Sequence, residues 1–125
     1  MNMKAKEILK KLYGYDDYKK GQEEAIDSIL NNKDTVIIMP TGGGKSICYQ
    51  IPALIFDGIT IVISPLISLM KDQVDSLKAT GIDSTYINST LSYEDIEYRL
   101  QAIEEGKYKI VYIAPERLET ETIYR

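Results

Sequence analysis

The apolar positions of this chain switch repeatedly between a helical period and short continuous runs. Within residues 3–13, Ile8 and Leu12 stand one helical turn apart, and Gly14 marks the end of the pattern. Residues 21–31 place Ala25, Ile26, Ile29 and Leu30 on one face of a second helix. TVIIM (35–39) is a short, wholly apolar run that reads as a buried strand, followed by a glycine-rich loop and a helix over residues 45–56. Pro52 lies inside that helix and predicts a kink or an early end, because proline has no N–H to donate and its ring crowds the preceding turn. The alternation then continues with strand ITIVIS (59–64), helix 66–79, strand STYIN (84–88), helix 93–105 and strand KIVYI (109–113). Ser92 with Asp95 predicts a capping box on the last helix, and Gly81 and Gly106 stand where left-handed helix ends are wanted.

Short apolar strands separated by helices predict an α/β fold: a parallel sheet with helices on both faces, since each parallel crossover is right-handed and helical. Ligands of such sheets bind at the carboxyl ends of the strands. The loop after Met39 and the turns Ser64-Pro65, Asn88-Ser89-Thr90 and Ala114-Pro115 all fall there, so one edge gathers the polar and turn-forming segments. No repeat, low-complexity tract or Pro/Gly/Ser linker interrupts the 125 residues.

Composition removes several function classes. The apolar fraction of 44% and charged fraction of 27% are those of an ordinary globular protein. No apolar run approaches the roughly 20 residues that span a bilayer. The opening MNMKAKEILKKLYGY lacks the apolar core of a signal peptide, so a cytoplasmic setting without a membrane partner is expected. With no histidine and one cysteine, Cys48, the chain offers no internal disulfide, no common zinc set and no histidine-based catalysis. Cys48 itself reads as a small buried hydrophobe. The net charge of −4 leaves no bulk basic footprint, so any nucleic-acid contact must come from local motifs. Lys4, Lys6, Lys10 and Lys11 read as the solvated face of an amphipathic helix.

The strongest chemical signal is MPTGGGKS (39–46). Phosphate oxygens need donors that approach without side-chain bulk. From Thr41 onward, Gly42, Gly43 and Gly44 let successive backbone N–H groups converge on an anion, and the helix that follows adds its positive end. Lys45 can reach the β- and γ-phosphates, and the Ser46 hydroxyl is placed to ligate Mg2+. A loop that only joined strand to helix would have no reason to put Lys-Ser at the helix start. Met39 replaces the first glycine of the general G-x-x-x-x-G-K-[ST] pattern, which narrows the family and leaves the phosphate argument intact.

Four blocks together, YGYDDYKKGQEEAI (13–26), VIIMPTGGGKSICYQIPAL (36–54), VISPLISLMKDQV (62–74) and YIAPERL (112–118), resemble the N-terminal part of a RecQ-family DNA helicase, a superfamily 2 motor. The resemblance implies a RecA-like P-loop sheet, incomplete here, as the front of the first motor domain, with residues 1–33 forming a helical adenine-recognition segment. It implies ATP as the nucleotide. Gln22 matches the adenine-reading glutamine and Tyr15 an aromatic position suited to stacking on the base; Lys19 and Tyr18 stand where arginine and phenylalanine are usual. Lysine lacks the planar guanidinium, so stacking by residue 19 is not implied. Taken without its surroundings, Gln22 would be an ordinary helix-surface residue. SPLISLMKDQV resembles motif Ia, in which Ser64, Pro65 and the opening amides of the next helix hold a single-strand phosphate, supplemented by Lys71. The same segment, read without the family, is the core stripe of an amphipathic helix. APERL resembles motif Ib and brings Arg117 toward the DNA backbone; Asn88 and Ser89 are further DNA-side candidates.

The family's DEAH-type box is absent from these residues, and Asp16-Asp17, Glu23-Glu24 and Glu104-Glu105 are no substitutes because none follows a buried strand. The second motor domain with its arginine finger is also absent, and hydrolysis needs positioned water and charge stabilisation besides a phosphate cradle. The expectation is a fragment that partners the remainder of a helicase chain and single-stranded or partly duplex DNA. By itself it would bind nucleotide weakly and unwind nothing. In relatives the acidic-box strand and the strand after it separate the loop strand from the motif Ia strand. Their absence is expected to strand residues 35–39, expose apolar edges and leave folding marginal. A short non-catalytic nucleotide- or DNA-binding product, or a different P-loop enzyme such as a small-molecule kinase, are the alternatives the residues leave open.

Overall fold

The computed structural model describes residues 3–36 and 45–116. Two compact units divide the chain, Met1–Asp57 and Gly58–Arg125.

The first unit is helical over its described residues: α1 (Met3–Tyr13), α2 (Gln22–Leu30) and α3 (Lys45–Ile55). Ala5 and Leu9 of α1, Ile26 of α2, and Ile47 and Ile51 of α3 form one buried cluster, with Tyr13, Tyr18, Leu30 and Ile55 packed against it. The apolar periodicity of all three helices therefore converges on a single core. Pro52 does not end α3. The helix continues to Ile55, and the Phe56 N–H still donates to the Pro52 carbonyl at 2.9 Å. Only the bond that Pro52 itself would have donated is lost, and its ring is buried. Cys48 is 1% exposed, and that burial pushes its thiol above the ordinary value. The strand expected over 35–39 is not formed at its first two residues: Thr35 and Val36 are irregular, and Val36 is 90% exposed. The rest of that run lies outside the described residues.

The second unit alternates β1 (Thr60–Ile63), α4 (Ile67–Ala79), β2 (Ser84–Ile87), α5 (Tyr93–Glu104) and β3 (Ile110–Ile113). The three strands form a parallel sheet in the order β1-β3-β2. Both crossovers must be right-handed. The chain moves across the sheet from β1 to β2 and then back to β3, so the same handedness puts α4 and α5 on opposite faces. The contacts agree. Ser84 Oγ donates to the Val74 carbonyl of α4 from one face, while Ile87, Val111 and Ile113 meet Leu100 and Ile103 of α5 around a groove on the other. The expectation of helices on both faces of a parallel sheet holds in this unit.

Burial follows the strand order. Central β3 is buried at every position, with Tyr112 the largest fully buried side chain of the described residues. β1, at the edge of the sheet among the described residues, alternates, leaving Ile61 and Ile63 57% and 54% exposed on the α5 side. Thr60 N–H and Ser64 N–H point to β3, so the N–H and C=O of Ile61 and Ile63 face away from it, and neither charge nor proline interrupts the strand. The opposite edge is closed differently. Arg99 of α5 donates to the Tyr86 carbonyl of β2 at 2.8 Å and lies 4.6 Å from the centroid of the Tyr86 ring.

Helix ends obey local chemistry. Gly81 and Gly106 follow α4 and α5 with φ of +87° and +77°. A Cβ at either would meet nothing within 4 Å, so the backbone conformation and not lack of space calls for glycine. Ser92 caps α5 by accepting the Asp95 N–H at 3.2 Å. Ser92→Ala is expected to cost about 1 kcal/mol of stability by urea titration, since it leaves that N–H without its partner. A change below ~0.3 kcal/mol would mean that water serves the N–H equally well.

Candidate nucleotide and nucleic-acid site

Each anticipated residue is placed within its own unit. Thr41, Gly42, Gly43 and Gly44 lie outside the described residues, as does Arg117. Lys45 and Ser46 are the first two residues of α3, Lys45 exposed and Ser46 half-buried. The first turns of α1, α3 and α4 carry no acid, whereas α2 and α5 carry Glu23 with Glu24 and Glu94 with Asp95. Acids at a helix start satisfy its positive end internally; α3 and α4 leave that end to other anions.

Tyr15 and Lys19 lie in the segment between α1 and α2, and Gln22 is the first residue of α2. The Gly14 N–H donates to Lys10 O at 3.0 Å, closing α1, and Tyr15 follows it 49% exposed. Lys6 and Lys10 reach Asp17 and Asp16 at 3.3 and 3.8 Å, so part of the α1 basic face is paired with the acidic loop instead of being simply solvated. Gln22 is 1% exposed, and its Oε1 accepts the Lys19 N–H at 2.7 Å. That oxygen holds the turn closed; an amide oxygen accepts two hydrogen bonds, so this one does not by itself bar the side chain from reading a base. Tyr18 packs on the core cluster; burial, then the Glu23 and Asp27 carboxylates, push its phenol above the ordinary value and keep it neutral.

In the second unit the parallel register brings three turns to the carboxyl edge of the sheet: Ser64-Pro65 after β1, Asn88-Ser89-Thr90 after β2, and Ala114-Pro115 after β3. Ser64 Oγ accepts the Leu66 N–H at 3.2 Å, which fixes the turn into α4. Pro65 is exposed beside it. Lys71, one turn into α4, is exposed and bound to Asp75 at 2.9 Å; that hydrogen bond and the Asp75 charge raise its pKa, so it remains a cation whose field Asp75 partly offsets. Ser89 is exposed. Asn88 is 1% exposed and spent inside: Oδ1 accepts from Thr90 N and Thr90 Oγ1 at 2.9 and 2.5 Å, and Nδ2 lies 3.4 Å from Met70 Sδ. It shapes the turn that displays Ser89. The Asn-x-Thr pattern of an Asx turn was the signal for this role.

Among the described residues, a three-stranded parallel sheet with helices on both faces and its polar turns at the carboxyl edge makes an open α/β domain. The structure resembles that of a hypothetical ATP-dependent RNA helicase from Sulfolobus tokodaii, with a TM-score of 0.71 over 94% of this chain and 35% of that one; at 23% identity the likeness concerns the fold alone. Residues 19–124 match the DEAD/DEAH box helicase family, and the chain belongs to that family. Its similar relatives include the ATP-dependent DNA helicase RecQ of Bacillus subtilis, 58% identical over 92% of this chain, and that of Haemophilus influenzae, 48% identical over 94%. The probable ATP-dependent DNA helicase RecS of Bacillus subtilis is 43% identical over 94%. The chain spans about a fifth of the length of these relatives: 20%, 19% and 23%. No helix among the described residues is long and apolar enough to cross a membrane.

Proposed function

We propose that this chain is the ATP-binding front of a DNA helicase that spends ATP hydrolysis on moving along single-stranded DNA and opening duplexes. The observation that carries the reading is the start of α3, where exposed Lys45 and half-buried Ser46 open a helix whose first turn holds no acid. A triphosphate suits that end: Lys45 supplies a point charge to the outer phosphates, the helix start supplies N–H donors, and Thr41 through Gly44 complete the cradle. Ser46 would hold Mg2+, which when bound neutralises charge shared by the β- and γ-phosphates. Tyr15 stacks on adenine and Gln22 reads its edge, with Lys19 nearby as a cation.

The DNA strand lies along the carboxyl edge of the sheet. Ser64, Pro65 and the acid-free start of α4 take one phosphate, with Lys71 beside them. Ser89, presented by Asn88, takes a neighbouring one, and Arg117 extends the track. In the cell the chain works in the cytoplasm as part of a longer polypeptide, whose remainder supplies the acidic box and the second motor domain. These 125 residues alone bind ATP without turning it over.

ATP binding and ATPase activity of this chain, with and without single-stranded DNA, test the reading. Magnesium-dependent ATP binding with no turnover is expected. Single-strand-stimulated hydrolysis would overturn the claim that the chain is inactive alone, and absence of any ATP binding would overturn the site.

A further inference from the structure

Tyr13 closes α1 and Gln50 lies in the middle of α3, and their side chains meet across 37 residues: the Tyr13 hydroxyl donates to Gln50 Oε1 at 2.6 Å. Gln50 is only 7% exposed, so its amide oxygen depends on a partner within the protein. Apolar packing of Leu9, Ile47 and Ile51 already joins these helices and tolerates sliding. A short directional bond does not tolerate it, and it fixes the rotation and axial position of α3 against the last turn of α1.

What hangs from each end gives the bond its meaning. Tyr13 leads directly into the segment carrying Tyr15, which the Lys6–Asp17 and Lys10–Asp16 pairs tie back to α1. Gln50 lies on the helix that begins with Lys45 and Ser46. The two ends of a nucleotide, base and triphosphate, would thus be met by groups whose separation this bond sets.

We infer that Tyr13 is a positioning residue for base discrimination, an inference that rests on the ATP-binding reading above. It holds the base-reading segment at one distance from the phosphate-binding helix. A phosphate grip is indifferent to the base, so loosening the distance costs selectivity while leaving affinity for the phosphates in place. Recognition of a base edge requires positioning to about 0.5 Å, which a sliding apolar contact does not provide.

The test compares ATP, GTP and inorganic tripolyphosphate as competitors of a fluorescent nucleotide on this chain. It is run at a temperature where circular dichroism shows every variant folded. Tyr13→Phe keeps the ring and removes the donor. The wild type is expected to prefer ATP to GTP. Tyr13→Phe is expected to lose roughly five- to ten-fold of that preference, the scale of one hydrogen bond, with tripolyphosphate affinity unchanged within about two-fold. The double variant Tyr13→Phe, Gln50→Leu removes both polar groups and with them the orphaned amide. It is expected to recover stability but not selectivity, and it serves in place of the single variant should that fail to fold. An unchanged ATP:GTP ratio in the variants, or parallel loss of all three ligands, overturns the inference. A wild type that binds tripolyphosphate without preferring ATP overturns it too, and leaves the phosphate site standing. A wild type that binds none of the three defeats the ATP reading itself.

Discussion

Replacing Lys45 by alanine is expected to weaken ATP binding by roughly 10- to 150-fold, the equivalent of the ~1.5–3 kcal/mol carried by a hydrogen bond to a charged group. The magnitude follows from what the side chain lacks as much as from what it offers. Lys45 is exposed at the first position of α3, and the acid-free first turn leaves its charge and the helix end directed at the same anion. The substitution removes the point charge and leaves the helix, so some affinity for phosphate should persist. Circular dichroism of Lys45→Ala should match the parent, because an exposed first-turn lysine contributes nothing to the buried cluster of the unit. Affinity within about two-fold of the parent would remove Lys45 from the phosphate site.

The second large effect is on folding. Tyr112→Ala is expected to cost about 3–5 kcal/mol, most or all of what a small unit has to lose. Tyr112 is fully buried at the centre of the middle strand, and both neighbouring strands pair with it, Val62 on one side and Tyr86 on the other. Its loss leaves a cavity under the sheet that neither flanking strand can fill. Urea titration should show the cooperative transition of the second unit lost or displaced. Ile61→Ala on the edge strand provides the contrast: with 57% of the residue already exposed, it should cost no more than ~1 kcal/mol. Equal costs for the two would mean that β3 is not the centre of the sheet in solution.

Much of this architecture is written in local pattern. The helices end within a residue or two of where periodicity puts them, and the Ser92 cap and the left-handed Gly81 and Gly106 are where their residue types require. The three strands of the second unit were legible as apolar runs. Their order was not, because strand order depends on which strands meet across 26 or 50 residues, and nothing local encodes that. The early end that Pro52 allowed did not occur for a related reason: the buried face of α3, with Cys48 and Ile51, outweighs one missing hydrogen bond. At the site, Lys45 and Ser46 follow from the loop motif. The closed state of Gln22 does not, since its amide could equally have faced solvent and only the fold of the Lys19 turn decides. Tyr13 and Gln50 were unremarkable in the sequence for the same reason. Each is an ordinary helical residue until the core brings them together.

The strand order also bears on synthesis. β1 and β2 have no pairing with each other, and both wait for β3, whose residues pair with β1 fifty positions earlier. As the chain leaves the ribosome at about 5–20 residues per second, β1 and β2 emerge several seconds before the strand that, among the described residues, pairs with them. The sheet then assembles in one step when β3 arrives between them. Until that moment Ile61, Ile63 and Ile87 are apolar strand residues without a sheet, which makes this interval the one in which a nascent chain most needs a holding chaperone.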